Sequence, residues 1–273
     1  MTHGVLYKAT GKEYIREVEM SAKSVKENTN DLNTAIITDC TINSKYIDKV
    51  IEPQNPLEND NSSNILYPDA SPYDRTIYLD TDTYICEDIS HLTNILDDFN
   101  MGVTISNTRH DVPDKKSPFT AFSGGVLIFD SSKKTREFHK KWYKSYWQMR
   151  NRNDVYQNQP SLSYAIFESD VDFYTLPSEY NTYINIGSDV GYLYRSAKIL
   201  HGRPQELAPI IATKLNREDS LRVYYVSPSL IDKVRVKIIQ PSSHSVPKKV
   251  YRSLLTNGVI KTIKKISEKI STK

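Results

Sequence analysis

The chain reads as an α/β protein with a mostly parallel central sheet flanked by helices. Three observations predict that class. Apolar, β-rich runs alternate with helix-patterned segments, the order that βαβ units produce. Three of those runs stop on polar residues, at Thr10, Asp39 and Asp80, as strands do when their carboxyl ends deliver side chains to a ligand-binding edge. No internal repeat or low-complexity tract interrupts the order.

The elements follow in turn. GVLYKAT (4–10) is a first strand, broken by Gly11. KEYIREVEMSAKSVKENT then places Ile15, Val18, Ala22 and Val25 at the spacing of one helical face. TAIITDC (34–40) is a second apolar run ending in an acid, and EPQNPLENDNSSN (52–64) is a loop by composition. The strand into Asp80 comes next, then a short helix around DISHLTNILDDF. MGVTIS (101–106) and GGVLIFD (124–130) are further strands, separated by a polar loop. SKKTREFHKKWYKSYWQMR is an amphipathic helix whose Trp142 and Trp147 serve packing. QPSLSYAIFES is a helix and VDFYTLP a strand, and a further segment runs from AKILHGRP to about residue 230.

Composition bounds the function. At 273 residues the chain can bury one large core. No apolar run approaches the roughly 20 residues that span a bilayer. MTHGVLYKATG lacks a basic stretch followed by an apolar one, so no secretory signal is expected, and Cys40 and Cys86 make neither a disulfide framework nor a zinc site. A reduced, cytoplasmic protein is the expectation. From Lys233 onward eleven Lys and Arg face one acid, Glu268, a net of +10 against an overall +3. The body therefore carries 3 − 10 = −7. The expected division is a catalytic domain over 1–230 and a basic tail over 231–273. Basic residues are not interleaved with aromatics across the body, so nucleic acid is not the expected partner. In the tail, Val259, Ile263, Ile266 and Ile270 share one helical face, with Lys261, Lys264, Lys265 and Lys269 largely elsewhere. Such a helix suits peripheral contact with an anionic membrane at its cytosolic face, or simply a solvated end.

The chemistry concentrates at SPYDRTIYLDTDTYICEDI (71–89), where an apolar strand runs into Asp80-Thr81-Asp82. Residues two apart on an extended chain face one side, so both carboxylates can address one object. A divalent cation relieves their repulsion, and hard oxygen donors suit Mg²⁺ or Mn²⁺. Two acids at a solvated strand exit are the plainer alternative. An EF-hand loop is excluded, because its sixth and twelfth positions would be Ile85 and His91 rather than Gly and Glu. A haloacid-dehalogenase-like phosphatase, with Asp80 as nucleophile, is weakened by Tyr84 at the fifth position.

Four segments in order carry a resemblance: GVLYKATGKEYIREVEMSAKS, SPYDRTIYLDTDTYICEDI, FSGGVLIFDSSKKTREFHKKW and LHGRP. Together they resemble nucleotide-sugar glycosyltransferases of the GT-A (Rossmann-like) fold, nearest to glycosyltransferase family 8, over roughly residues 4–205. The resemblance implies a metal-dependent transfer of a sugar from a nucleotide-diphosphate sugar, UDP-sugar by preference. The acceptor would be a hydroxyl of a glycan, a lipid-linked glycan or a protein, and the anomeric configuration would be retained.

It also implies roles residue by residue. Asp80, Asp82 and His201 match the ligands of Mn²⁺ (or Mg²⁺). Ala9 and Thr10 match the place that holds the base, with Tyr14 stacking on it. Arg203, beside Gly202, stands near the family's pyrophosphate lysine. Asn158 and Gln159 fall where the family reads Asp-Gln at the reacting face. Thr81, Asp39, Ser123 and Gly124 complete the expected nucleotide-sugar site. The chain departs from the pattern at Asn158, at Ser123 (often Asn), and upstream of Asp80, where no basic residue stands and Arg75 is the candidate to compensate. A GT-A domain that binds sugar nucleotide without turnover is the non-enzymatic alternative.

Overall fold

The structure is a computed structural model that describes residues 1–53, 70–106, 121–153, 157–185, 190–217, 220–229 and 233–239, with 259, 261, 263 and 264 of the C-terminal segment. The chain divides into two compact units, Met1–Ile238 and Ile239–Lys273.

Seven strands of the first unit form the central sheet: β1 (His3–Lys8), β2 (Asn33–Ile37), β3 (Lys49–Ile51), β4 (Arg75–Leu79), β6 (Met101–Ile105), β7 (Phe122–Asp130) and β8 (Phe173–Leu176). A short strand, β5 (Thr83–Ile85), leaves the sheet after β4. The order is β3-β2-β1-β4-β7-β6-β8. β1 pairs parallel with both β2 and β4, so those three strands end on one edge. β7 runs against both β4 and β6, while the other four pairings are parallel, so the sheet is mostly parallel as expected.

The inner strands are buried on both faces, while β3 and β8 at the edges are largely exposed, and alternation assigns each side chain. Val5, Tyr7, Ile77, Leu79 and Ile128 pack with Val18, Ala22 and Val25 of α1 (Lys12–Asn28) on one face. Leu6, Tyr78, Leu127 and Phe129 pack on the other with Phe138, Trp142 and Tyr146 of α2 (Lys133–Asn153) and Leu162 and Ile166 of α3 (Gln159–Phe167). Gly11 starts α1 with φ of 79°, the left-handed region that suits glycine, and so turns the chain sharply between strand and helix. The segment expected as a short helix near residue 90 is a 3₁₀ turn, Ser90–Asp97.

Two smaller sheets complete the unit. β9 (Thr182–Tyr183) and β5 flank β11 (Ile199–His201) in one. β10 (Val190–Leu193), β12 (Arg222–Ser229) and β13 (Lys233–Ile239) form the other, whose inner side chains Leu193, Tyr224, Val226 and Val234 cluster with Ile211 and Leu215 of α4 (Ala208–Leu215). The first unit ends at Ile238, within β13. Among the described residues no helix is long and apolar enough to cross a membrane. In the second unit Val259 and Ile263 are helical and exposed. Ile266, Ile270, Lys265 and Lys269 of the expected amphipathic face, and most of the expected 52–64 loop, lie outside the described residues.

Candidate functional site

The site starts where β4 ends. Asp80 N–H donates to Gly125 O of β7 at 2.9 Å, continuing the pairing one residue beyond the strand. Thr83 Oγ1 then donates to Asp80 O at 2.9 Å and closes the Asp80-Thr81-Asp82 turn. That donation leaves Thr83 an acceptor for Ser21 Oγ at 2.8 Å, and Ser21 in turn an acceptor for Tyr7 OH at 2.9 Å. A buried hydroxyl chain from β1 through α1 thus anchors the turn.

The third member comes from far along the chain. In the small sheet His201 lies opposite Thr83 of β5 and Tyr183 of β9. Register therefore sets its imidazole beside the two aspartates: His201 Nε2 is 3.6 Å from Asp80 Oδ2 and 3.3 Å from Asp82 Oδ1. One ligand atom of each of the three lies within 4.8 Å of the others. The Tyr183 ring stacks on His201 at 4.9 Å between centroids, and its hydroxyl shares a 2.8 Å hydrogen bond with buried Ser123. Asn181 takes the other imidazole nitrogen, with Oδ1 2.8 Å from Nδ1, and donates through Nδ2 to Thr104 Oγ1 at 2.8 Å. With Nδ1 as donor, Nε2 faces the carboxylates.

Gly125 forms the back wall. A Cβ there would lie 2.2 Å from His201 Cε1 and 2.6 Å from Asp80 Oδ2. Only a residue without a side chain lets the strand approach this closely.

The charges are unevenly served. Burial pushes the Asp80 carboxyl above its ordinary range, although His201 draws it back. Burial acts on Asp82 in the same sense, but the hydrogen bond and charge of His201, with Arg203, hold it below that range. Burial disfavours a charged His201, yet Asp82 and Asp80 raise it overall. Two carboxylates that favour a proton on Nε2 also favour a divalent cation in its place, and cation binding would displace that proton. Two hard oxygens and one imidazole, with a wall that admits no side chain, fit a divalent metal.

Arg203 closes the outer side. Its Nη1 is 3.0 Å from Asp82 Oδ2, while Nε and Nη2 donate to Glu17 Oε1 and Oε2 at 2.6 and 2.8 Å. Glu17 Oε2 also accepts from Thr81 Oγ1 at 2.5 Å. Gln205 ties α1 to the turn by donating to the backbone oxygens of Glu17, Thr81 and Thr83.

The expected site residues divide into groups. Asp80, Asp82, His201, Arg203 and Thr81 are brought together. Gly202 N–H donates to Asp82 O at 3.0 Å, and Ser123 supports Tyr183. The Tyr14 ring, partly exposed, lies 5.9 Å from the Arg203 guanidinium. Ala9, Thr10 and Asp39 follow β1 and β2 on the edge where Asp80 follows β4, with Ala9 N–H donating to Ile37 O. Asn158 and Gln159 open α3. A Cβ on Gly124 would meet Asn158 Nδ2 at an ordinary 3.5 Å, and Gln159 Oε1 accepts from Ser106 Oγ at 3.0 Å.

Arg75 is a correction. It stands at the amino end of β4, a strand's length of about 17 Å from the Asp80 edge at ~3.3 Å per residue. There it donates to Thr93 O and pairs with Asp97, so it does not compensate for a basic residue upstream of Asp80. The sequence reading missed Glu17, Gly125, Asn181 and Tyr183. For the last two a signal existed: Asn181, Tyr183 and Asn185 recur every second residue, as polar groups do on one face of an extended chain.

The family model described as Glycosyl transferase family 8 matches residues 61–201. Among solved structures, the galactosyltransferase LgtC in complex with donor and acceptor sugar analogs is 15% identical with a TM-score of 0.56, over 79% of this chain and 97% of that one. The glycosyltransferase GlyE of Streptococcus pneumoniae TIGR4 is 14% identical with a TM-score of 0.52, over 77% of this chain. This chain spans 60% of GlyE's length. At such identities the likeness is one of fold. No curated protein matches the sequence.

Proposed function

The chain belongs to glycosyl transferase family 8, and from that premise we propose that it moves a sugar from a nucleotide-diphosphate sugar, with UDP as the leaving nucleotide, to an acceptor hydroxyl with retention of anomeric configuration. The observation that carries the proposal is the convergence of Asp80, Asp82 and His201, from two distant segments, within 4.8 Å. Bound by them, Mn²⁺ or Mg²⁺ would supply Lewis-acid stabilisation to the departing diphosphate.

The chain's own groups do the rest. Asn181 holds His201 with Nε2 directed at the carboxylates. Arg203 engages Glu17 and Asp82 through three N–H groups. A guanidinium has five, so two are left for phosphate oxygens, where charge develops as the sugar departs. Tyr14 offers a partly exposed ring for the base, beside the edge that carries Thr10 and Asp39. Gln159, oriented by Ser106, and Asn158, against Gly124, take the sugar side. Asn158 and Ser123 are shorter in reach or charge than the groups that usually stand there, and we assign donor-sugar selectivity to that difference.

The test is calorimetry of UDP and other nucleoside diphosphates with and without Mn²⁺, in wild type and Asp82→Ala. Binding that needs both the metal and Asp82 is expected. Metal-independent binding, or none to any nucleotide, would end this reading.

A further inference from the structure

Glu17 is a heavily committed side chain beside the site that the proposed mechanism leaves idle. It is one-fifth exposed, lies on α1 and reaches across 186 residues of sequence to Arg203. Both its oxygens are occupied: Oε1 by Arg203 Nε, and Oε2 by Arg203 Nη2 and Thr81 Oγ1.

The question is what Arg203 would do without it. A guanidinium seeks a carboxylate that can take two parallel N–H groups at once. Among the described residues it forms ion pairs with two carboxylates, Glu17 and Asp82. The fork of Nε and Nη2 goes wholly to Glu17, and only Nη1 touches Asp82, on Oδ2. Asp82 Oδ1 therefore stays turned toward His201 Nε2, at 3.3 Å, where a metal ligand must be. Take Glu17 away, and Asp82 is the partner left for the whole fork. Both its oxygens would then be bound by a fixed cation rather than offered to a divalent one.

We propose that Glu17 is a positioning residue that keeps the Nε–Nη2 fork of Arg203 off Asp82 and so leaves Asp82 Oδ1 available to metal. This rests on the metal site of the proposed function and adds the device that protects it. Arg203 sits close enough to serve the diphosphate, yet its strongest pairing is satisfied elsewhere. Thr81, inside the Asp80-Thr81-Asp82 turn, donates to the same Glu17 oxygen, so the position of Glu17 is fixed relative to the ligands themselves.

The experiment is Mn²⁺ binding to the nucleotide-free protein, read by titration calorimetry and by the loss of free-Mn²⁺ electron paramagnetic resonance signal. Wild type, Glu17→Gln, Arg203→Ala and the double variant are compared, each checked for folding by circular dichroism. Glu17→Gln should weaken Mn²⁺ binding by roughly ten- to a hundredfold, the range for groups that orient metal ligands. Arg203→Ala alone should bind at least as well as wild type, and adding it to Glu17→Gln should restore affinity. A general structural role for Glu17 predicts no such rescue. If Glu17→Gln binds like wild type, or the double variant stays as weak as Glu17→Gln, the inference is wrong while the metal site stands. If wild type binds no Mn²⁺, both fall together.

Discussion

Asn181 Oδ1 and His201 Nδ1 lie 2.8 Å apart, buried side by side, and this bond decides which imidazole nitrogen faces Asp80 and Asp82. Asn181 is itself oriented, because its Nδ2 donates to Thr104 Oγ1 on β6. Asn181→Ala therefore removes the partner of Nδ1 and leaves the Thr104 hydroxyl buried. Mn²⁺ affinity should fall by roughly ten- to a hundredfold, and unfolding free energy by about 1–3 kcal/mol. Mn²⁺ titration and urea unfolding measure the two losses separately.

The two neighbouring glycines should behave differently. Alanine at 125 would force a methyl to within 2.2 Å of His201 and 2.6 Å of Asp80, whereas at 124 it meets Asn158 at 3.5 Å. Gly125→Ala is expected to lower metal-dependent nucleotide binding at least about tenfold, since outright clash must displace one ligand. Gly124→Ala should leave metal binding intact. Equal metal affinities for the two variants would contradict the close approach of β7 to the site.

Buried His139 predicts a pH dependence of stability. It lies among the rings of Phe129, Phe138 and Trp142, and burial pushes its pKa down to about 3. In the unfolded chain it titrates near its ordinary value of 6.5. Between those values the unfolded state binds the proton and the folded state does not. Stability is therefore full above pH ~6.5 and declines as pH falls toward 3, by up to roughly 5 kcal/mol at 1.36 kcal/mol per unit. The difference in unfolding free energy between wild type and His139→Leu should shift toward the variant across that window. A difference independent of pH would show that His139 is protonated alike in both states.

The basic tail gives a fourth expectation. With the +10 charge of residues 233–273 concentrated there, the full chain should sediment with vesicles containing phosphatidylserine at low salt and be released at high salt. Each Lys or Arg near such a surface contributes about 1 kcal/mol. A chain ending at residue 239 keeps Lys233, Arg235 and Lys237 and drops the other +7 (10 − 3), so it should lose most of that binding and keep its Mn²⁺ affinity. Equal sedimentation by both would place membrane contact elsewhere.

How much of this was legible beforehand differs by residue. Asp80 and Asp82 could be read because their relation is local: two positions apart on an extended chain, they share a side whatever the rest does. The longer strands and helices before residue 180 were equally legible, since burial on one or both faces imposes periods of two and 3.6 along the chain itself, whereas the three-residue strands β3 and β5 are too short to show a period and went unread. Their alternation implied the layered sheet, and the match to Glycosyl transferase family 8 over 61–201 accords with it.

Other features depend on where distant segments meet. His201 could be nominated only through resemblance; its place comes from the register that sets it opposite Thr83 and Tyr183. Arg75 looked available because charge shows in a sequence, whereas the end of the strand on which it emerges, beside Asp97, does not. Glu17 looked like one more acid on a helix. So the sequence by itself determined the longer elements before residue 180 and the paired carboxylates, which follow from spacing along one stretch of backbone. The tertiary structure alone decided that Asn181 orients His201, that Gly125 gives them room and that Glu17 occupies Arg203, because partners 20, 76 and 186 residues away are chosen by strand register and helix docking.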